Sequence, residues 1–171
     1  IVISDKKQGI SDATWLYVKA ALDHFRETRP ACIILELNTP GGEVFAAQRI
    51  SDALRSMDIK EGIPVIAYVN NWAISAGAMI AYSCRFIIAA SDASMGAATP
   101  VFQTTEGPAE APEKINSALR TDFANRAVFF DRNPDIARAM VDADLILVRR
   151  HGRIIALTSE EDIQSIGQER D

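Results

Sequence analysis

The chain has 171 residues, of which 48% are hydrophobic and 24% are charged, and its formal net charge is −5. This size and mixture are typical of one globular domain with a sizeable core, so residues 1–171 are expected to form a single domain. Because the balance is acidic and the arginines are spread along the chain, the electrostatics exclude a nucleic-acid partner.

No stretch approaches the roughly 20 apolar residues that span a bilayer, and no signal sequence opens the chain. The chain begins with Ile1, Val2 and Ile3 without a methionine, as if cut within a strand, so we expect a domain excised from a longer protein. Cys32 and Cys84 lie in or beside apolar runs, and each is expected to be a small buried hydrophobe rather than a reactive thiol.

Helix and strand patterns alternate through the first half of the chain. Ser11 and Asp12 offer N-caps to an amphipathic helix that Pro30 ends. The apolar run 31–37 predicts a buried strand that enters a tight loop ending in Gly41-Gly42. The elements expected next are a helix at 43–57, a strand at 63–69, a loop at 70–74, a helix at 75–83 and a strand at 86–90. Repeated strand–helix–strand units need right-handed crossovers and predict an α/β fold with a mainly parallel sheet.

The second half opens with an irregular stretch, residues 97–112, which is rich in Thr, Pro, Gly, Ala and Glu. Compact domains seldom carry so long a stretch without a functional reason, so we expect a flexible lid or substrate loop. The elements expected after it are a long helix at 115–130, a helix at 133–141, a hairpin around His151-Gly152 and a short last helix opened by a capping box of Thr158 and Glu161.

Ser75 lies at the expected junction of a strand and a helix, among small residues. A sharp turn there would expose the hydroxyl at a positive helix end and free the next amide to stabilise an oxyanion. Serine is also a frequent helix N-cap, and this segment alone leaves the two roles equally open. Gly41-Gly42 is likewise either a turn that needs positive φ or a loop whose bare backbone approaches a ligand oxygen.

A serine hydroxyl becomes a good nucleophile only when a positioned base removes its proton. The chain has two histidines, His24 within a helix and His151 at a hairpin turn, and neither context is typical of a catalytic base. Lys114 begins an amphipathic helix directly after the irregular stretch. A lysine amine acts as a base only when neutral, which requires burial to lower a pKa that is ordinarily about 10.4. The adjacent Glu113 would oppose this if it faced the amine.

Four segments, in this order, carry a resemblance to a known family. They are 35–42 (LELNTPGG), 70–81 (NNWAISAGAMIA), 93–100 (ASMGAATP) and 111–115 (APEKI). Together they resemble the ClpP/crotonase superfamily, and within it the NfeD-type membrane-bound serine proteases encoded beside stomatin-like proteins. Cytoplasmic ClpP resembles the chain less, because no histidine stands between Ser75 and His151.

The resemblance implies a ClpP/crotonase-like fold of repeated β-β-α and β-α-β units. It also implies a serine endopeptidase with a Ser-Lys dyad, in which Ser75 is the nucleophile, Lys114 is the base, and the amides of Gly42 and Ala76 form the oxyanion hole. No metal and no cofactor are expected. The residues expected to bind substrate are Gly41, Trp72, Ala73, Ile74, Pro100 and Val101.

The same resemblance implies a substrate with an apolar segment, such as a stomatin-like membrane protein, and a homodimer or larger homo-oligomer. The full-length protein is then expected to be membrane-associated, with this part soluble and extracytoplasmic or periplasmic.

Two other functions share these features. A crotonase-type acyl-CoA enzyme has the same core and paired amides but uses carboxylates and binds adenine nucleotide. The Ser-Ala-Gly sequence at 75–77 and the position of Lys114 favour the protease. A non-catalytic scaffold would hold a hydrophobic peptide in the same cleft, and the motifs do not separate it from an enzyme.

Overall fold

The computed structural model describes residues 1–4, 9–105, 107–157, 159–161 and 164. The chain divides into two compact units, Ile1–Ala98 and Thr99–Asp171, and each is described by itself. The first unit contains β1 (Val2–Ser4), α1 (Asp12–Thr28), β2 (Ile33–Thr39), α2 (Val44–Lys60), β3 (Val65–Ile74), α3 (Ala76–Tyr82), β4 (Phe86–Ala89) and β5 (Ser94–Gly96).

The five strands of the first unit form one sheet in which every pairing is parallel. The order is β1-β2-β3-β4, and β5 pairs with the far end of β3. Helical crossovers join successive strands, as parallel pairing requires. The predicted α/β class with a mainly parallel sheet is therefore confirmed.

The core of this unit lies between one face of the sheet and its helices. Alternate residues of β2 and β3, such as Leu35 and Ala67, are fully buried, and so are Ile50 and Leu54 of α2. The alternation follows from the period of two in a strand, which sends successive side chains to opposite faces. This packing holds the carboxyl ends of β2 and β3 next to each other.

An ion pair between the buried carboxylate of Asp58 and the half-exposed guanidinium of Arg85 joins the end of α2 to the turn before β4. The carboxylate of Asp58, whose side chain is 1% exposed, accepts hydrogen bonds from Arg85 Nε at 3.1 and 3.0 Å. Its Oδ2 also accepts the Val65 amide at 3.3 Å. The hydrogen bond from Asp58 raises the pKa of Arg85 above its ordinary value. The carboxylate thus ties three segments of the unit together.

Two expectations about the first unit are wrong. Residues 70–74 are not a loop, because β3 continues to Ile74, where Trp72 and Ile74 pair with Ser94 and Gly96 of β5. β5 has only three residues, which is too short for its sequence pattern to predict a strand. Without β5, the sequence gives no sign that residues 72–74 continue β3. Cys32 is exposed, because it lies just before β2 begins, whereas Cys84 is buried as expected and its thiol donates to the Ile80 carbonyl at 3.4 Å.

The second unit contains β6 (Val101–Thr104), β7 (Gly107–Glu110), α4 (Glu113–Phe129), α5 (Pro134–Ala139), β8 (Ile146–Arg150) and β9 (Arg153–Leu157). β6 pairs with β7, and β8 with β9, as antiparallel hairpins. Asn133 caps α5, since its side chain accepts the Asp135 amide at 2.8 Å.

The irregular stretch 97–112 holds more regular structure than its composition suggests, because β6 and β7 lie within it. A role as a lid remains a prediction. The predicted last capping box depends on Thr158, which lies outside the described residues. Within the described part of the chain, no helix is long and apolar enough to cross a membrane.

Candidate active site

Ser75 joins β3 to α3 in a backbone conformation that few residues adopt. Its φ is 54° and its ψ is −119°. This region of positive φ in the Ramachandran plot is energetically costly for a residue that has a side chain. Ser75 stands at the N-cap position of α3 but makes no side-chain hydrogen bond to the helix. The hydroxyl of Ser75 is therefore not used as a helix cap.

The backbone of Ser75 is fixed on both sides of this strained turn. Its amide donates to the carbonyl of Gly96 at 2.7 Å, and its carbonyl accepts the Ala78 amide at 2.9 Å. Sequence reasoning missed Gly96, whose only signal was its place in the 93–100 segment. The end of β5 thus holds the serine at the carboxyl end of β3.

The loop after β2 packs its backbone against the serine. A Cβ built on Gly41 would lie 2.7 Å from the Ser75 Cβ, 2.9 Å from the Ile74 carbonyl and 3.2 Å from the Ser75 Oγ. The φ of Gly41 is 107°, which also favours glycine. The structure therefore brings Gly41 and Ser75 together.

Hydrogen bonds to Ile10 and Thr39 hold this loop in place. The Ile10 amide donates to the Gly41 carbonyl at 2.7 Å, and the Glu43 amide donates to the Ile10 carbonyl at 2.8 Å. The buried Thr39 hydroxyl accepts the Gly41 amide at 3.2 Å. A Cβ on Gly42 would meet the Ile10 carbonyl oxygen at 2.2 Å. The loop is thus preorganised by its own unit.

The two amides expected to form an oxyanion hole are available. Among the described residues, neither the Gly42 nor the Ala76 amide has a hydrogen-bond partner. Ala76 is the first residue of α3, where amides have no intrahelical acceptor. Two unpartnered amides flanking a serine can stabilise negative charge that develops on a bound carbonyl oxygen.

The surface beside the serine carries exposed apolar side chains. Trp72 of β3 is 47% exposed and Ile74 is half-buried, whereas Ala73 is buried and pairs with Thr39. Phe45 is 80% exposed at the start of α2, directly after the glycine loop. Sequence reasoning missed Phe45, because helical periodicity does not tell which apolar residues of a first turn remain outside the core.

The remaining predicted site residues belong to the second unit. Val101 is 59% exposed on β6, and the Pro100 carbonyl accepts the Ala111 amide at 3.0 Å. Lys114 lies in the first turn of α4 with an exposed side chain. Within the described residues the Lys114 amine forms no ion pair.

Glu113, the neighbour of Lys114, is bound elsewhere. Its carboxylate pairs with Arg120, whose guanidinium also donates to Asp142 at 3.0 Å. The hydrogen bond from Arg120 to Glu113 is the main cause that raises the pKa of Arg120. Residues i and i+1 of a helix point in different directions, which agrees with this separation of Glu113 from Lys114.

The parallel sheet, the serine turn and the glycine loop define a ClpP-like protease fold. ClpP1 from Listeria monocytogenes has this fold with a TM-score of 0.54 at 16% identity, over 98% of this chain and 86% of that chain. The chain belongs to the family of NfeD1b N-terminal domains, whose model matches residues 4–168.

Two curated relatives are similar in sequence. The membrane protein NfeD1b of Bacillus subtilis is 36% identical over 129 residues, which are 75% of this chain and 28% of that protein. The membrane-bound protease PH1510 of Pyrococcus horikoshii is 34% identical over 120 residues, 67% of this chain and 26% of that protein. The chain thus spans about a quarter of the length of the curated relatives it matches.

Two solved structures of a related protease are similar over nearly the whole chain. One is a lysine-to-alanine variant of the 1510-N membrane-bound stomatin-specific protease in complex with a substrate peptide. It has a TM-score of 0.75 at 28% identity, over 95% of this chain and 70% of that chain. A serine-to-alanine variant of the same protease has a TM-score of 0.72 at 28% identity, over 96% and 75%.

Proposed function

We propose that this chain is the catalytic domain of a serine endopeptidase in which Ser75 is the nucleophile. The observation that carries the proposal is the turn at Ser75, where a strained backbone presents a hydroxyl that caps no helix. Strain of this kind, held by bonds from neighbouring elements, is common at catalytic residues. The same arrangement, a serine between a strand and a helix with small neighbours, is used by other nucleophilic serines.

We assign the oxyanion hole to the amides of Gly42 and Ala76. Both lack partners among the described residues, and both belong to backbone that is fixed by hydrogen bonds or by a helix. Fixed donors need no reorganisation when charge develops on the carbonyl oxygen, which is why they stabilise the transition state.

We assign the general base to Lys114. His24 lies within α1 and His151 in the turn between β8 and β9, and neither context is typical of a catalytic base. Glu113 pairs with Arg120, and among the described residues no carboxylate pairs with the Lys114 amine. Structures of the related 1510-N protease exist with a lysine-to-alanine and with a serine-to-alanine substitution, which supports a pair formed by these two residue types.

The Lys114 side chain is exposed in this structure, so the proposal requires that bound substrate bury the amine and favour its neutral form. In the proposed reaction the neutral Lys114 amine takes the proton of the Ser75 hydroxyl as the oxygen attacks the scissile carbonyl. The tetrahedral oxyanion is held by the two amides. Lys114 then gives the proton to the leaving amine, which breaks the peptide bond and leaves an ester on Ser75. Water, deprotonated by the same amine, hydrolyses the ester and restores the free serine.

We propose peptides with an apolar segment as substrates. Trp72 and Phe45 offer exposed aromatic surface next to the serine turn, and a substrate with apolar side chains would bury that surface. A stomatin-like protein is the proposed natural substrate, by likeness to the stomatin-specific protease 1510-N. We also propose a membrane-associated full-length protein, since both curated relatives are named as membrane proteins. The extracytoplasmic placement of this domain and a homodimeric or larger assembly are proposed from the resemblance to the NfeD-type proteases alone.

Trapping of the covalent intermediate tests the proposal. An apolar peptide ester should acylate the wild-type protein, and intact-mass spectrometry with peptide mapping should place the acyl group on Ser75. The Ser75→Ala protein should show no adduct at that peptide. Acylation of another residue, or titration of the wild-type protein by acyl-CoA without any peptide cleavage, would refute the peptidase.

A further inference from the structure

The hairpin formed by β8 and β9 carries positive charge in a chain that is otherwise acidic. Residues 145–157 contain three arginines and one histidine but no aspartate or glutamate, whereas the whole chain has a net charge of −5. The arginines are therefore not spread evenly along the chain, because three of them lie within five residues. The structure gathers Arg149, Arg150 and Arg153 around the turn at His151-Gly152.

The arginines border a shallow cavity at the tip of this hairpin. Arg150 and Arg153 stand opposite each other at the last paired position, and with His151 and Ile155 they line about 540 Å³. The side chains of Arg149 and Arg153 are exposed, and neither forms an ion pair with the described residues. Their guanidinium groups thus keep several donors for an anionic partner.

One face of the hairpin places an exposed isoleucine beside an arginine, whereas the exposed isoleucine of the other face lies at the end of β8 away from the turn. Ile154 is 38% exposed and pairs across the strands with Arg149. Ile146 is 49% exposed and shares the opposite face with Arg150 and Arg153. Apolar side chains that enter the headgroup boundary, next to arginines that bind phosphates, are the combination found at membrane surfaces. An acidic peptide would use the charges but not the isoleucines.

We propose that the β8–β9 hairpin docks this domain tip-first on a bilayer that contains anionic phospholipids, with the lipid phosphates bound by Arg149 on one face of the hairpin and Arg153 on the other. The proposal goes beyond the proposed peptidase and does not depend on it, because docking is measured without cleavage.

Vesicle sedimentation tests this docking. The wild-type protein should pellet with vesicles in which about a third of the phosphatidylcholine is replaced by phosphatidylglycerol, and not with phosphatidylcholine alone. The Arg149→Gln/Arg153→Gln protein should bind the anionic vesicles about ten- to thirtyfold more weakly. Raised salt should weaken the wild-type binding, since it screens exposed charges.

Two variants separate charge from folding. Lys19→Gln/Lys60→Gln removes the same two charges from exposed positions on α1 and α2 and should bind like the wild type. Arg149→Lys/Arg153→Lys keeps the charge and should retain most of the binding. Equal binding to neutral vesicles, or equal losses in the Lys19/Lys60 variant, overturns the proposal.

Two competitors identify the occupant. Neither glycerophosphoglycerol, the free headgroup, nor polyglutamate at equal charge concentration should release the protein from anionic vesicles, because neither engages the isoleucines. Release by the headgroup would make the hairpin a site for soluble phosphate esters, and release by polyglutamate would make it a site for acidic proteins; either result refutes membrane docking.

Discussion

Gly41 packs its Cα against the side chain of Ser75, so closely that a methyl group there would stand 2.7 Å from the Ser75 Cβ. The two residues are 34 positions apart in sequence and meet because β2 and β3 are neighbours in a parallel sheet. The carboxyl ends of adjacent parallel strands are a common place for active sites. This contact connects the glycine loop to the proposed nucleophile and leads to the first test.

Gly41→Ala should impair both folding and catalysis. The new methyl group meets the backbone of Ile74 as well as Ser75, and φ of 107° strains any residue with a Cβ. We expect about 1–3 kcal/mol less stability by denaturant unfolding. We also expect at least about a hundredfold lower kcat/KM on an apolar peptide, because the serine must move.

Gly62→Ala is the matched control for this substitution. Gly62 also has positive φ, at 69°, but a Cβ there meets nothing within 4 Å. It should lose about 1 kcal/mol or less and keep full activity. Equal kcat/KM for Gly41→Ala and Gly62→Ala would show that the Gly41 contact does not position Ser75.

Lys114→Ala should abolish peptide cleavage while leaving the fold intact. Lys114 is exposed in the first turn of α4 and forms no ion pair with the described residues, so its removal costs little stability. Loss of a general base should lower kcat about 10²- to 10⁴-fold. Lys60→Ala, at the exposed end of α2, should cleave normally. Full activity of the Lys114→Ala protein, measured with the same peptide, would eliminate the dyad.

Thr39→Val should loosen the glycine loop by removing two hydrogen bonds, because the Thr39 hydroxyl accepts from the Gly41 amide at 3.2 Å and donates to the Gly41 carbonyl at 3.4 Å. Valine keeps the shape of the side chain without the hydroxyl. We expect a loss of about 1–3 kcal/mol, because a buried amide is left without a partner, and a lower kcat. Thr39→Ser keeps the oxygen and should retain more of the activity than Thr39→Val. The reverse order would indicate that the methyl group, which packs near Gly77, matters more.

Asp58→Asn should reduce stability without changing the chemistry. The buried Asp58 carboxylate holds Arg85 and the Val65 amide, and a neutral amide cannot accept as strongly from a guanidinium. Chemical unfolding should show about 1–3 kcal/mol less stability. The same change at exposed Asp52, paired with Arg55, should cost less than about 1 kcal/mol. A similar cost at the two positions would show that burial adds nothing to the Asp58 pair.

Most helices and strands follow from local pattern. The span of α1 was predicted because Ser11 marks its start and Pro30 bars its continuation. The β8–β9 hairpin was predicted because His151-Gly152 interrupts two apolar runs. In both cases the signal lies within a few residues of the element, so no distant partner is needed to recognise it.

Elements that depend on a distant partner were predicted poorly. β5 is three residues long and becomes a strand only because the end of β3 is available to pair with it. The end of β3 was taken for a loop for the same reason. Burial of Cys32 was also inferred from its apolar neighbours, although its place before the first residue of β2 leaves it exposed.

The sequence by itself determined the α/β class, the family and the positions of Ser75, Gly41 and Gly42, since motif residues and periodicity are local properties. Only the tertiary structure decided how Ser75 is held, because its amide needs the Gly96 carbonyl from β5 and its side chain meets Gly41 from the loop after β2. It also decided which apolar side chains, such as Phe45, stay exposed. These features arise when strands distant in sequence pair in one sheet, and pairing partners are not encoded by any single segment.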